Sequence, residues 1–346
     1  MATRLLSHLA HVELHVPKLE ESVRFFKEVL GLTESGREGD SVFLRCWGDY
    51  YIYSLILTQS EQPALAHAAW RTHGPEELEE AVRRIEAAGV AGTWIPKSSH
   101  HGPAYAFKTP SGHPIEVFWE VERYQAPEEL RSTYPDRPQK ATNHGIAPRQ
   151  LDHLTVATQD VVAMGNWLCD TLGFRFMGTT SMEHDPSKVV FGVTTTNEKS
   201  HDLGIGIDFS PIPGRMHHLA FWVESHDELL TSADLLVENG VHIEFGPGRH
   251  GIGEQGYLYF REPSGIRIEV NTGGYRNYVP DWKPVHWMPS QGSLTMYRNL
   301  DAPHAMMEAF PPHAKGAVPD ADLEVDANPW ANQSGGRGAP MAPRSS

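Results

Sequence analysis

Residues 151–174 read LDHLTVATQDVVAMGNWLCDTLGF, and residues 9–32 read LAHVELHVPKLEESVRFFKEVLGL. Each stretch predicts a strand of alternating residues followed by a helix, which we expect to end at Gly173 or Gly31 because glycine readily adopts a positive φ. Two further pairs match in the same order: 67–90 with 218–241, and 109–119 with 262–272. The chain is therefore a duplicated unit, each copy predicted as strand, helix, strands, strand, helix and strands.

The composition is that of a globular protein. The chain has 346 residues, 40% hydrophobic and 21% charged, which is enough for two domains and a sizeable core. Its 44 acidic and 29 basic residues give a net charge of -15, which disfavours nucleic acid as a partner. No apolar run approaches a membrane span and no signal-peptide pattern is present, so we expect no membrane association and a cytoplasmic location. Two cysteines exclude a disulfide scaffold and Cys-based metal sites, so that any metal among the 20 histidines must use nitrogen and oxygen ligands.

Composition along the chain predicts four segments. Residues 1–130 form the N-terminal unit, and the proline-containing, polar residues 131–148 form a linker. Residues 149–287 form the C-terminal unit. Residues 288–346 form an extension that turns rich in Ala, Pro, Gly and Ser, and we expect it to be partly disordered.

Three polar side chains of the C-terminal unit are predicted to lie on strand faces turned away from the helices. They are His153, His218 and Glu269. Alternation along each strand places them opposite apolar neighbours, and it places His217 on the face opposite to His218. Two imidazoles and a carboxylate form the facial triad of non-haem Fe(II) oxygenases, which leaves coordination positions open for substrate and O₂. Taken singly, each of these residues is better interpreted as an ordinary hydrogen-bonded or solvated side chain.

The stretch GRHGIGEQGYLYFREPSGIRIE (248–269) resembles the ring-cleavage signature of type I extradiol dioxygenases. These enzymes belong to the vicinal oxygen chelate, or glyoxalase/bleomycin-resistance-like, superfamily, and the catechol 2,3-dioxygenase branch is the nearest match. The resemblance covers roughly residues 5–287. It implies an α+β fold of two tandem chelate units, each a pair of βαβββ modules that form a curved sheet cup with helices outside.

The resemblance also implies a function and the residues that perform it. The enzyme would be an extradiol, or meta, ring-cleaving dioxygenase that inserts both atoms of O₂ into a catechol beside the diol and yields a 2-hydroxymuconic semialdehyde-type product. Fe(II), or alternatively Mn(II), would be bound by the three residues named above. His201 would act as the acid–base residue, and His250 and Tyr259 would donate hydrogen bonds to substrate oxygens. A homo-oligomer, by family a tetramer, is expected.

The N-terminal unit repeats the ligand pattern. Its equivalents of the three ligands are His11, His67 and Glu116. However, Ala106 stands where the C-terminal unit has Tyr259, and His100 and His101 lie only 16 and 15 residues before the glutamate, compared with 19 for His250. We therefore expect one iron per chain and no active metal in the N-terminal unit, although a second metal is chemically possible.

Several alternative functions stay open. A homoprotocatechuate-type or dihydroxybiphenyl-type extradiol enzyme would use the same residues on another catechol. A 4-hydroxyphenylpyruvate dioxygenase-like enzyme, a glyoxalase-like isomerase and a non-catalytic binding protein share the fold but have less need of the signature at 248–269. A simple or alkyl catechol is the first choice of substrate, because the only candidates to hold a carboxylated side chain are Arg249 and Arg276.

Overall fold

The computed structural model describes residues 4–97, 99–297 and 304–312. The N-terminal unit contains helices α1 (Leu19–Glu28) and α2 (Pro75–Ala87). Its strands are β1 (Leu6–Val16), β2 (Thr33–Glu38), β3 (Ser41–Arg45), β4 (Leu55–Gln59), β5 (Ala64–Thr72), β6 (Gly92–Ile95), β7 (Ala104–Lys108) and β8 (Pro114–Phe118). The order along the chain is βαβββ twice, as predicted.

The C-terminal unit repeats this order. Its helices are α3 (Val161–Trp167), which continues as a π-helical turn over Leu168–Leu172, and α4 (His226–Glu238). Its strands are β9 (Gln150–Thr158), β10 (Arg175–Ser181), β11 (Val189–Thr195), β12 (Leu203–Ile207), β13 (Arg215–Trp222), β14 (Ile243–Arg249), β15 (Gln255–Arg261), β16 (Arg267–Gly273) and β17 (Val285–Trp287). Gly31 and Gly173 adopt φ of +79° and +75°, as expected for the turns that close α1 and the α3 extension.

Each unit forms one sheet with its two modules joined at the centre. The strand orders are β2-β3-β4-β1-β5-β8-β7-β6 and β14-β15-β16-β13-β9-β12-β11-β10-β17. The first strands of the two modules pair antiparallel, β1 with β5 and β9 with β13, while the first strand of each module pairs parallel with its last. The predicted α+β fold of two duplicated units is confirmed. In each unit, this topology brings the first strands of both modules and the last strand of the second module side by side.

Helices α3 and α4 begin at side chains that cap their first turn. The side chain of Asp160 accepts a hydrogen bond from the Ala163 amide at the start of α3, and Ser225 accepts one from the Glu228 amide at the start of α4. Pro75 occupies the first turn of α2, where its missing N–H costs nothing. No helix within residues 4–97, 99–297 and 304–312 is both long and apolar enough to cross a membrane.

The two units share a hydrophobic core. Rings from the first unit contact rings of the second, for example Phe26 with Phe221 at 6.1 Å between centroids and Trp70 with Phe174 at 5.8 Å. The buried Nε2 of His113 lies 3.0 Å from the carbonyl oxygens of both Ala157 and Arg215 in the second unit. Buried apolar and polar contacts therefore hold the two units together, in addition to the segment that links them.

Part of the C-terminal extension packs on the second unit. The backbone of Phe310 pairs with that of Met216 in β13, and the Arg215 guanidinium donates to the carbonyls of Ala309 and Pro311. The apolar side chains of Phe310 and Ala309 are buried. These contacts bring residues 304–312 beside the strand that carries His218. The partial disorder predicted for residues 288–346 stays a prediction, because residues 298–303 and 313–346 lie outside the described residues.

Candidate metal centre and active site

The three predicted ligands of the C-terminal unit meet at one point. His153 lies on β9, His218 on β13 and Glu269 on β16, the three adjacent strands at the centre of the sheet. The Nε2 atoms of the two histidines are 3.1 Å apart, and each lies 3.0 Å from Oε2 of Glu269. All three side chains are buried. Strand alternation therefore predicted their common face correctly.

The prediction that His217 points away from His218 is wrong. At Met216–His218 the pairing of β13 with β9 contains a bulge, in which two residues of β13 stand opposite one residue of β9. A bulge interrupts the alternation of side chains, and both histidines line the same cavity. His217 Nε2 donates to the Met306 carbonyl at 2.5 Å, so its Nδ1 accepts from Nδ1–H of His218 at 2.6 Å. This contact directs the lone pair of His218 Nε2 toward Glu269.

A second bulge brings Asp152 against its neighbour His153. The buried Asp152 carboxylate accepts from His153 Nδ1 at 2.8 Å and from Asn271 Nδ2 at 2.7 Å, and Lys199 Nζ lies 3.2 Å from its other oxygen. Such a carboxylate fixes the tautomer and orientation of a metal-binding histidine. Sequence reasoning missed this role of Asp152 because strict alternation places it on the opposite face. Asn271, two residues after Glu269 on β16, lies on the same face as Glu269 and also reaches His153 Nδ1 at 3.1 Å.

The charges of the cluster depend on one another. Burial disfavours a charged Glu269, but the two imidazoles outweigh this effect and hold its pKa well below its usual range. Burial likewise opposes protonation of His153, yet Glu269 and Asp152 raise its pKa to about 9. Burial lowers the pKa of His218 to about 4. Without a metal the cluster thus binds a proton at His153, in the position where a divalent cation would supply the positive charge.

The donor set fits a metal ion with open coordination positions. Among the described residues, neither oxygen of the buried Glu269 has a hydrogen-bond partner of good geometry, which is costly unless a cation lies there. Ligand atoms about 2.1–2.2 Å from an ion and at right angles to one another are about 3 Å apart, which is the spacing of a facial triad. The measured 3.0–3.1 Å agrees with that arrangement. His153, His218 and Glu269 would hold the ion.

His201 lies beside the first ligand. Its ring is buried, with its centroid 4.3 Å from that of His153, and it lines the cavity above the triad. Burial and the neighbouring His153 hold the pKa of His201 well below its usual range, so the ring is neutral at pH 7. A neutral imidazole in this position is able to accept a proton from a bound molecule.

His250 and Tyr259 form a hydrogen-bonded pair on the other side of the cavity. The Leu294 carbonyl accepts from Nδ1–H of His250, so Nε2 of the neutral ring is an acceptor and takes the Tyr259 O–H at 3.0 Å. Burial and the Glu269 charge raise the pKa of Tyr259 well above its usual range, so its hydroxyl keeps its proton. Tyr259 is thus the hydrogen-bond donor of the pair, and neutral His250 accepts at Nε2. The sequence around His250 does not indicate which tautomer the ring adopts.

The cavity above the triad has a polar floor and apolar walls. The floor is the ligand cluster with His201, His250 and Tyr259. The walls come from β11, the loop before β15 and the C-terminal extension. They include Val190, Phe191, Ile252, Leu294, Met306 and Met307. Among the described residues, no lysine or arginine lines this cavity, and Arg249 instead pairs at the surface with Glu254 at 3.0 Å.

The comparisons with known proteins agree with this geometry. The chain matches the Glyoxalase/Bleomycin resistance protein/Dioxygenase superfamily over residues 8–117 and 150–270. It is 36% identical over 289 residues to the manganese-dependent 2,3-dihydroxybiphenyl 1,2-dioxygenase of Geobacillus genomosp. 3, covering 82% of this chain and 91% of that protein. It is also 36% identical over 283 residues to the metapyrocatechase of Geobacillus stearothermophilus, covering 82% and 86%. Among solved structures, the 2,3-dioxygenase LapB from Pseudomonas sp. KL28 superposes with a TM-score of 0.75 at 28% identity, covering 83% of this chain and 99% of that one.

The chain belongs to the Glyoxalase/Bleomycin resistance protein/Dioxygenase superfamily, whose domain it contains twice. Within that superfamily it is an extradiol ring-cleaving dioxygenase, which acts on a catechol-type substrate with O₂. Relatives are named as manganese-dependent and as iron-dependent enzymes, and the described residues contain the His/His/Glu groups to bind either metal.

Proposed function

We propose that this enzyme cleaves catechols that carry an apolar substituent, beside the diol, and forms a 2-hydroxymuconic semialdehyde-type product. The observation that carries the proposal is the cavity wall, where Phe191, Leu294 and Met307 contribute apolar surface and no lysine or arginine is found among the described lining residues. A carboxylated side chain would lose its hydration there without gaining a cationic partner, which is strongly unfavourable. An alkyl or aryl group would gain apolar contact.

The polar floor supports a division of roles among the catalytic side chains. When bound, iron or manganese supplies Lewis acidity toward the two catechol oxygens and redox chemistry toward O₂. Neutral His201 accepts a catechol proton and later returns it as a general acid. In the free enzyme His250 Nε2 accepts the single O–H proton of Tyr259. When a substrate is bound, that hydroxyl turns to donate to a substrate oxygen as charge develops there, and His250 becomes a donor itself only when protonated.

Two relatives support different sizes of substituent. One that is 36% identical is named for 2,3-dihydroxybiphenyl, which carries an aryl group, and another is named metapyrocatechase. Both names are compatible with an apolar wall. A homoprotocatechuate-type specificity has less support, because Arg249 and Arg276, which sequence reasoning offered as carboxylate partners, are absent from the cavity lining among the described residues.

The test compares kcat/KM for catechol, 3-methylcatechol, 2,3-dihydroxybiphenyl and homoprotocatechuate with the Fe(II)- and Mn(II)-loaded enzyme. We expect the methyl or phenyl derivative to be the best substrate and homoprotocatechuate to be at least about 100-fold poorer, equivalent to about 2.7 kcal/mol. A yellow ring-opened product containing both atoms of labelled O₂ is expected. Equal activity on homoprotocatechuate would refute the proposed specificity, and a colourless muconate would refute cleavage beside the diol. The expected tetramer is checked by light scattering.

A further inference from the structure

A second cluster of ligand atoms lies in the N-terminal unit. His11 on β1, His67 on β5 and Glu116 on β8 occupy the central three strands of the first sheet, as the catalytic ligands do in the second. The Nε2 atoms of the two histidines are 3.0 Å apart, and His67 Nε2 is 3.9 Å from Oε2 of Glu116. His11 and Glu116 are buried, with 3% and 8% of their surface exposed. These atoms are grouped closely enough to share one cation.

His101 offers a fourth donor atom beside this group. Its Nε2 lies 3.9 Å from Oε2 of Glu116, and its ring centroid is 5.7 Å from that of His11. A β-bridge to Val121 holds its backbone, and its side chain is buried. Nδ1–H of His101 donates to the Gly102 carbonyl at 2.8 Å, so Nε2 carries a lone pair.

The orientation of His67 is also fixed. Its Nδ1 lies 3.1 Å from Oε2 of Glu13, and the other oxygen of Glu13 accepts from the Thr58 hydroxyl at 2.6 Å. When a carboxylate accepts a hydrogen bond from Nδ1–H, Nε2 keeps a lone pair that can bind a metal. This arrangement is found around metal-binding histidines. Glu13 thus orients His67 in the N-terminal unit, as Asp152 orients His153 in the C-terminal unit.

The side chains that handle protons in the catalytic unit are replaced here. Tyr53, two residues before the start of β4, contacts the His11 ring at 5.0 Å, in the position that His201 holds before β12. Ala106 pairs with Glu116 in the sheet, as Tyr259 pairs with Glu269. The ligand pattern is therefore retained, whereas the acid–base group and the hydroxyl donor are not.

We propose that His11, His67, His101 and Glu116 form a second, non-catalytic metal site that binds Zn²⁺. Three imidazoles and one carboxylate suit zinc, and four protein ligands close its coordination shell, as in structural zinc sites. With bonds of about 2.1 Å, tetrahedral ligand atoms are about 3.4 Å apart. The His11–His67, His67–Glu116 and His101–Glu116 distances of 3.0, 3.9 and 3.9 Å lie on either side of that value. The atoms of His11, His67 and Glu116 already form one group, and His101 completes the shell by moving toward the other two imidazoles.

This proposal differs from the expectation of one metal per chain. That expectation rested on Ala106 and on the short spacing between His101 and Glu116, both judged against a catalytic site. The same short spacing places His101 within reach of the metal ligands. With zinc bound, the N-terminal unit remains catalytically silent, because a closed shell offers no position for substrate or O₂.

The test measures zinc stoichiometry on the full chain after removal of metals, by titration with Zn²⁺ alone in competition with a chelating dye. We expect the wild-type chain to bind two equivalents of Zn²⁺ tightly and the Glu269→Gln variant to bind one. The double variant Glu269→Gln/His101→Ala should bind none. Glu116→Gln should bind one equivalent and, once loaded with Fe(II), keep ring-cleavage activity within about twofold of wild type. Glu120→Gln, which removes the same charge from an exposed position near β8, should keep both.

Circular dichroism shows whether each variant is folded. The Glu269→Gln variant leaves the N-terminal unit unaltered, so its zinc content reports on the proposed site in its native form. One equivalent in the saturated wild-type chain, or none in Glu269→Gln, would overturn the proposal. Two equivalents in a folded Glu116→Gln would overturn it as well. Because the readout is zinc content, failure of the proposed substrate specificity would leave the result unchanged.

Discussion

Replacing His217 by Leu should weaken metal binding at the catalytic site by about 10–100-fold without unfolding the chain. In the wild type, the Met306 carbonyl accepts from His217 Nε2–H, and His217 Nδ1 accepts from His218 Nδ1–H. Burial and the nearby Arg267 hold the pKa of His217 well below its usual range, so its Nδ1 keeps the lone pair that His218 requires. We therefore expect His217 to act as a positioning residue for the proposed metal ligand His218.

The expected magnitude follows from the contact that is lost. Leucine has similar bulk but no acceptor, so the buried Nδ1–H of His218 would be left unsatisfied at a cost of about 1–3 kcal/mol. His218 escapes part of this cost by moving its proton to Nε2 or by turning its ring, and either change removes the lone pair that faces Glu269. A loss of 1.4–2.7 kcal/mol corresponds to about 10–100-fold in affinity.

The matched variant is His217→Gln, whose amide oxygen accepts from His218 and whose amide nitrogen donates to Met306. Its affinity for Mn(II), measured by chelator competition, should lie within about threefold of wild type. Thermal denaturation of the metal-free proteins controls for a general loss of stability. The reasoning is wrong if His217→Leu binds Mn(II) within twofold of wild type, or if the glutamine variant is as weak as the leucine variant.

Three further predictions concern catalysis, specificity and stability. His201→Asn should lower kcat by about 10²–10⁴-fold with the metal content unchanged, and undiminished turnover would refute the acid–base role. Met307→Arg should place a cation in the cavity wall and raise kcat/KM for homoprotocatechuate relative to 3-methylcatechol by about tenfold, whereas an unchanged ratio would contradict the apolar-wall argument. Burial lowers the pKa of His113 to about 4. Because the unfolded chain binds a proton at this histidine near pH 6.5 and the folded chain does so only near pH 4, the free energy of unfolding should decrease by up to about 3 kcal/mol as the pH falls between these values. In His113→Gln, the free energy of unfolding measured in urea should depend less on pH over that range, and an unaltered pH profile would count against this prediction.

The ligand triad was predictable because it depends on the most regular property of a strand. Side chains alternate with period two, so His153, His218 and Glu269 could be assigned to one face from their apolar neighbours alone. The duplication supported this grouping, since His11, His67 and Glu116 repeat the pattern in the N-terminal unit. The signature at 248–269 identified His250 and Tyr259, which the structure brings within 3.0 Å of each other.

The contacts that orient these residues were not predictable in the same way. The bulges at His217 and Asp152 reverse the alternation on which the face assignment depends, and no residue type in either strand marks them. The cavity wall also depends on Leu294 and Met306, which come from the extension after residue 287. No periodic pattern in that segment indicates that it returns to the site, because its contacts are long-range and mostly through backbone carbonyls.

If only the C-terminal unit is catalytic, as we propose, a His/His/Glu triad does not by itself determine catalysis. Both units hold the three donors on equivalent strands, yet their surroundings differ at the remaining coordination positions. In the C-terminal unit, apolar side chains such as Leu294 and Met307 surround the space above the ligands and leave it open to a planar substrate. In the N-terminal unit, the rings of His101 and Tyr53 lie 5.7 and 5.0 Å from the His11 ring, and we propose His101 as a fourth ligand there. An ion with all its positions taken by protein has none left for a diol, so what lies above the triad decides which unit is catalytic.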